Sequence, residues 1–171
     1  SRRELERRQA EAARDALLDL QLDLSATRVP LELARSIFRA ADKLWKVDAG
    51  SLSVYLPEQD LVQVVLNFDI IDGQRQDVRM AEFIGKPPPR FRRVMEHGGE
   101  LTLRQPPFTA RLENVMFGDK SRPSASMMHV PIRSQGQAVG MLSVQSYTPN
   151  AFTEDDLRTL QGLADHCGGT L

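Results

Sequence analysis

The sequence predicts an α+β domain, a central antiparallel sheet with helices at both chain ends, on three observations. Apolar residues recur at helical spacing up to Trp45 and again after Thr153. Between them, stretches near Ser51, Leu61, Ser126 and Gln137 follow the β pattern, alternating or rich in β-branched residues. Those stretches come in pairs joined by short polar turns, which implies antiparallel hairpins.

From Arg2 to Leu24 there is no Pro or Gly, and Arg, Glu, Ala and Leu dominate, all good helix formers. Ala10, Ala13, Leu17, Leu20 and Leu24 step by 3 and 4, a narrow apolar seam on a helix that needs a partner. Ser25, Ala26 and Thr27 interrupt it. Pro30 suits the first turn of a second helix, about Leu31 to Trp45, with Leu33, Ile37, Ala41 and Leu44 on one face and Asp48, Ala49 and Gly50 at its end. This divides the chain into a connector helix, 1–28, and a domain, 29–171. Ser51–Leu56 and Leu61–Phe68 read as the first hairpin, and Asp69–Met80 as irregular. Pro87, Pro88 and Pro89 open a short helix, Arg90–Glu96, stopped by Gly98 and Gly99. Glu100–Arg104 reads as a short strand, and Pro106–Pro123 as a long connection anchored by Phe108, Met116 and Phe117. Ser126–Arg133 and Gln137–Tyr147 form the second hairpin around Ser134, Gln135 and Gly136. Thr153 is the N-cap of the last helix, with Glu154, Asp155 and Asp156 where the helix dipole favours negative charge. Gly168 and Gly169 predict fraying or bending at its end.

Composition excludes several classes. The 171 residues carry 22 basic and 23 acidic side chains, a net charge of -1, so no global field draws nucleic acid or an anionic membrane. The single cysteine, Cys167, excludes an internal disulfide and any metal site of several thiolates, and fits a reducing cytoplasm. No apolar run reaches the roughly 20 residues of a spanning helix, and Ser1 to Arg8 is charged rather than signal-like. A start on Ser, with helices at both ends, reads as a piece excised from a longer protein.

The stretch VPIRSQGQAVGMLSVQSYTPNAFTEDDL, Val130 to Leu157, resembles the C-terminal half of a GAF domain, the small-molecule sensing module of signalling proteins. The likeness lies in Val130-Pro131-Ile132, the Gln135-Gly136 turn, Val139-Gly140 ahead of an apolar strand, and Asn150-Ala151-Phe152-Thr153 before the acidic helix start. Ser51–Leu66 is similar to the family's first hairpin, and Arg90–Leu103 to its short helix and middle strand. The resemblance implies a sheet with the terminal helices on one face and a variable segment over the other, and in many members a ligand pocket beneath that cover. It also implies a parent protein such as a bacterial sensor histidine kinase of a two-component system, with no catalysis in this piece.

Strand parity sorts the two faces. Leu52, Val54 and Leu56, with Met128, Val130, Ile132, Leu142 and Val144, suit a helix-packed core. Ser53, Tyr55, Met127, His129, Ser143 and Gln145 mix bulk with hydrogen-bonding groups, as in a small-molecule pocket or in polar groups that satisfy one another beneath a loop. His129 fits a ligand contact or a hydrogen-bonded subsurface residue. Between Lys86 and Arg122 stand eight basic residues (Lys86, Arg90, Arg92, Arg93, Arg104, Arg111, Lys120, Arg122) and four acidic ones (Glu96, Glu100, Glu113, Asp119), an excess that favours an anionic ligand or marks a solvated surface. The candidate ligand set is therefore Tyr55, Met127, His129, Ser143 and Gln145 from the strands, with Phe108, Arg111, Met116 and Phe117 from the cover.

No His, Cys and Asp residues cluster at metal-ligand spacing, and nothing supports haem. Family members that reduce free methionine sulfoxide rely on several cysteines, and bilin-binding members attach the pigment through a cysteine nearer the pocket; Cys167 fits neither. The cyclic-nucleotide signature of the family is also missing. The last helix carries a second seam, Leu157, Leu160, Ala164, Cys167 and Leu171, in step with the first. Together the seams predict a homodimer through a helical bundle, carrying the state of a pocket to a domain beyond Leu171. The alternative is a GAF-like spacer that dimerises without a ligand.

Overall fold

The computed structural model describes residues 1–23, 29–78, 84–105, 123–168 and 171, without the side chains at 12, 14–23, 29 and 167. The described helices are α1 (Arg2–Asp23), α2 (Val29–Leu44), α3 (Pro89–His97) and α4 (Glu154–Cys167). The strands are β1 (Ala49–Leu56), β2 (Leu61–Ile71), β3 (Gln74–Asp77), β4 (Ile84–Gly85), β5 (Glu100–Leu103), β6 (Ser126–Ser134) and β7 (Gln137–Ser146). They form one antiparallel sheet in the order β3-β2-β1-β7-β6-β5, with β4 against β2. The architecture is α+β, as the sequence predicts.

Strand parity decides which side is core. Leu52, Val54, Met128, Val130, Ile132, Leu142 and Val144 join one cluster with Ala34, Ile37, Phe38 and Ala41 of α2 and Leu160 and Ala164 of α4. Each large aliphatic side chain so buried contributes about 1.5–3 kcal/mol. The α2 stripe differs from the expected one, because Leu44 is 52% exposed and Phe38 is buried instead. Phe38 meets Phe68 of β2 edge-on at 4.7 Å, and this aromatic pair rotates the helix toward the 34-37-38-41 stripe.

The segment read as irregular from Asp69 is largely strand. Asp72 and Gly73 take left-handed φ values of 53° and 77°, the requirement of a tight hairpin turn, so β2 runs on to Ile71 and returns as β3. Gln135 and Gly136 do the same between β6 and β7, at 53° and 78°. The β3 hairpin is tied to α2 by Arg75, which pairs with both carboxylate oxygens of Asp42 at 2.7 and 2.8 Å and lies over the Phe68 ring at 4.5 Å.

Thr153 caps α4 as expected, in a capping box with Asp156. The other Asp156 oxygen accepts from the Trp45 indole N–H at 3.0 Å, which ties the end of α2 to the start of α4. The seam expected on α4 at a dimer interface packs largely within the chain itself. Leu160 and Ala164 are fully buried in the chain's own core and Leu157 packs against it, so that stripe is already occupied. The Cys167 side chain lies outside the described set. On α1, Ala10 and Ala13 are exposed beside ion pairs such as Arg7–Glu11 and Arg8–Glu4; the Leu17 and Leu20 side chains and Leu24 lie outside the described residues. No described helix is long and apolar enough to cross a membrane.

Gly168, where fraying or bending was expected, seats the last turn of α4 on β6. It is buried and right-handed, and a Cβ there would stand 1.8 Å from the Arg133 carbonyl oxygen. Gly162 of the same helix faces open space. Gly168→Ala should therefore lower stability by about 1–3 kcal/mol, the range of an overpacked site. Gly162→Ala should raise it by about 0.5–1 kcal/mol through helix propensity. Urea denaturation of the two variants checks both signs.

Candidate functional site

The face of the sheet turned away from α2 and α4 is covered by α3 and is also buried, yet its side chains are polar. Register pairing lines up Glu100 of β5 with His129 of β6, His129 with Ser143 of β7, Ser143 with Ser51 of β1, and Ser51 with Asn67 of β2. Five successive strands thus place one polar residue each in a single row, about 19 Å long at the usual strand spacing. His129, Ser143, Ser51 and Asn67 are all buried. Flanking the row, the Gln145 amide donates to the Ser143 hydroxyl at 2.9 Å and accepts from the Ser124 hydroxyl at 2.8 Å. Asp69, two residues beyond Asn67 and 2% exposed, accepts from the Ile70 N–H at 2.7 Å and from the Tyr147 hydroxyl.

The cover is built by α3. Pro89 opens it and the left-handed Gly98 closes it, which leaves Arg90, Phe91 and Val94 on the buried side. Arg90 crosses β6: its Nη1 lies 3.8 Å from the Met127 sulfur and 3.4 Å from His129 Nδ1, and its Nε lies 3.7 Å from Glu100 Oε2. Arg93 pairs with both Glu100 oxygens at 2.5 and 2.9 Å. A guanidinium only donates, so His129 Nδ1 must accept and the ring proton sits on Nε2. The charge balance agrees. Burial, then Arg90, Arg104 and Arg93, push the imidazole pKa down to about 3, so His129 is a neutral polar group at physiological pH.

At its other flank α3 is clamped to the first hairpin. Asp60, in the left-handed turn conformation at φ 52°, accepts from Arg92 at 2.9 and 3.2 Å and from the Tyr55 hydroxyl at 2.7 Å. Arg92 and then Tyr55 hold its carboxyl down at about 2.

Of the residues expected at the site, Met127, His129, Ser143 and Gln145 share this face, as does Ser53. Tyr55 serves the clamp through its hydroxyl, its ring 6.1 Å from Phe91. Phe108, Arg111, Met116 and Phe117 lie outside the described residues. Sequence reasoning missed Asn67, Asp69 and the role of Arg90. A β-bulge opposite Leu52 and Ser53 shifts the alternation along β2, so Asn67 and Asp69 come to this face where simple parity does not carry across. Arg90 was one cation in a basic excess; its position at the start of a helix opened by proline was the available signal. Among the described residues no His, Cys, Asp and Glu side chains gather as a metal site.

The clamp has a pH signature. The Asp60 carboxyl titrates near 2 in the folded chain and near its ordinary value when unfolded, so its stabilising effect is full above about pH 4 and is lost as pH falls toward about 2. Asp60→Asn, which tolerates the same backbone conformation, should lower the melting temperature at pH 7. The gap between the two proteins should close near pH 2, as thermal melts across that range will show.

A sequence profile described as GAF domain matches residues 28–171. No curated protein matches the chain. Among solved structures, it is similar to a GAF domain/HD domain protein from Geobacter sulfurreducens, with 14% identity over 86% of this chain and 94% of that one, at a TM-score of 0.59. The GAF domain of a two-component sensor histidine kinase from Bacillus halodurans is similar with 16% identity over 81% and 90%, at 0.54. A type II free methionine-R-sulfoxide reductase from Thermoplasma acidophilum is similar with 17% identity over 82% and 93%, at 0.56. Identities this low speak for the fold, and the profile match spans most of the sequence. Core strands, capped terminal helix and covered polar face agree with it, and the chain belongs to the GAF domain family.

Proposed function

We propose that this GAF domain is the regulatory, small-molecule-sensing module of a multidomain signal-transduction protein of the sensor-kinase kind, working in the cytoplasm without nucleic-acid or membrane contact. The observation that carries this reading is the buried polar row beneath α3. Burying polar groups costs free energy unless they find partners, and a face built only for packing is more stable with aliphatic side chains. Catalysis is disfavoured by chemistry: the sulfoxide-reducing members of the family rely on several cysteines, and this chain has Cys167 alone.

With the α4 stripe occupied, the homodimer forms through α1, along Ala10, Ala13, Leu17, Leu20 and Leu24. β6 is the wall between the two sides: Met127 and His129 face α3, while Met128, Val130 and Ile132 face the core that includes α4. A ligand that shifts β6 thereby shifts the exit helix, whose last turn rests on Arg133. One observation favours the alternative of a ligand-free spacer, since Ser124, Gln145 and Ser143 already satisfy part of the site from within.

Native mass spectrometry of the protein isolated gently from its host should show a retained non-covalent small molecule; bare protein in every preparation would favour the spacer. Light scattering at tens of micromolar should give a dimer that Leu17→Glu/Leu20→Glu converts to a monomer. A wild-type monomer would remove the dimer from the account.

A further inference from the structure

We infer that the molecule held on the covered face presents a cis amide, a carbonyl beside an N–H as in a lactam, to Asn67 of β2 and to Ser51 and Ser53 of β1. This rests on the sensing reading above and adds the chemistry of the group recognised.

The site is a triangle of polar side chains at the β1–β2 end of the row. Ser51 is the register partner of Asn67, and Ser53 follows Ser51 on the same face. At ordinary sheet dimensions the Cβ atoms of Asn67 and Ser51 stand about 5 Å apart, and those of Ser51 and Ser53 about 7 Å. Asn67 is 4% exposed, Ser53 7% and Ser51 9%, so all three are shielded from bulk water. Their hydrogen-bonding capacity is nonetheless unused. Asn67 Nδ2 is a buried donor without a partner, and among the described residues neither the carbonyl end of that amide nor either hydroxyl makes a hydrogen bond. Elsewhere on the face Gln145 bonds Ser143 and Ser124, Tyr147 bonds Asp69, and Arg90 reaches His129. The unmet groups are thus gathered in one place, three strands from His129, about 14 Å at the usual spacing.

The donor and acceptor inventory selects the ligand group. An unpaired buried polar group is costly, and a ligand that meets it removes the cost. A side-chain amide offers an N–H and a carbonyl side by side, and the group that meets both at once is a second amide edge laid against it. That complement is the same whichever way round the Asn67 amide is turned. A carboxylate has acceptors alone and an ammonium donors alone, so either leaves half of the amide unmet. The hydroxyls of Ser51 and Ser53 both donate and accept, and can take the second lone pair of the ligand carbonyl. Val64 and Met141, the register partners of Ser53, supply apolar surface for the rest of a ring.

Three ring compounds of similar size test this on the full chain: δ-valerolactam, with carbonyl and N–H; N-methyl-δ-valerolactam, with the N–H blocked; and cyclohexanone, with a carbonyl alone. In nitrogen-15 NMR the side-chain amide pair of Asn67, identified by its loss in Asn67→Leu, should shift with the lactam and saturate at about 1–10 mM, the range for so small a fragment. The lactam should bind about fivefold or more ahead of both others, the range of one hydrogen bond to a buried group. The ranking is measured on the unaltered chain, so it holds whether or not a variant folds. Asn67→Leu should erase the preference while leaving the ligand-free melting temperature unchanged or higher, and Ser51→Ala/Ser53→Ala should weaken the lactam. Equal binding of either other probe, or variants that bind all three as wild type does, overturns the inference. So does an Asn67 amide that no probe shifts and that exchanges with water, a site of ordered water only. A molecule without an amide N–H retained in native mass spectrometry also overturns it, and leaves the sensing reading intact. Failure of every probe together with bare protein in those spectra removes both.

Discussion

A guanidinium taken out of water costs several kcal/mol unless its charge and its N–H groups are met, and Arg90 is 5% exposed. The partners it finds set the terms for the covered face. Glu100 is held by Arg93 as well as Arg90. His129 must present a lone pair at Nδ1, which fixes its tautomer and keeps the ring neutral. The Met127 sulfur lies against Arg90 Nη1 as a soft, weak acceptor. Arg90 thus ties α3 to β5 and β6, and the Arg92–Asp60 clamp holds its outer flank.

The consequence is a sheet buried on both faces by different chemistry. Toward α2 and α4 the side chains are aliphatic and aromatic, and they supply the stability of the domain. Toward α3 they form a polar row that contributes less to folding and is suited to recognising a small molecule. β6 belongs to both faces, because successive side chains of a strand point opposite ways. It is therefore the element through which, in the proposed sensing role, a change on one face would reach the helix packed on the other.

Much of the frame was legible because it rests on local rules. The Thr153 cap, the Gln135-Gly136 turn and the alternation of Met127 to Ile132 each declare themselves in a few residues. What escaped depends on contacts distant in sequence. The bulge opposite Leu52 brought Asn67 to the covered face, and nothing in β2 alone marks it. The Asp72-Gly73 turn has the residues of a tight hairpin, but the polar, exposed strand that follows it lacks the apolar alternation that marks the others. The seam on α4 has the spacing of a dimer interface, and only the packing of Leu160 and Ala164 reveals that β6 already fills it. Periodicity shows that a helix has an apolar side and leaves open what meets it.

The state of His129 tests the central arrangement most directly, because an imidazole between Arg90 and Arg104 answers to the field of the whole site. Nitrogen-15 NMR of the ring, followed from about pH 8 down to about 4, reads both tautomer and charge. The account predicts a neutral ring protonated on Nε2 throughout that range, with its pKa near 3. A ring that takes up a proton near the ordinary value of about 6.5, or that carries its proton on Nδ1, would contradict the seat of Arg90 and with it the covered face as described.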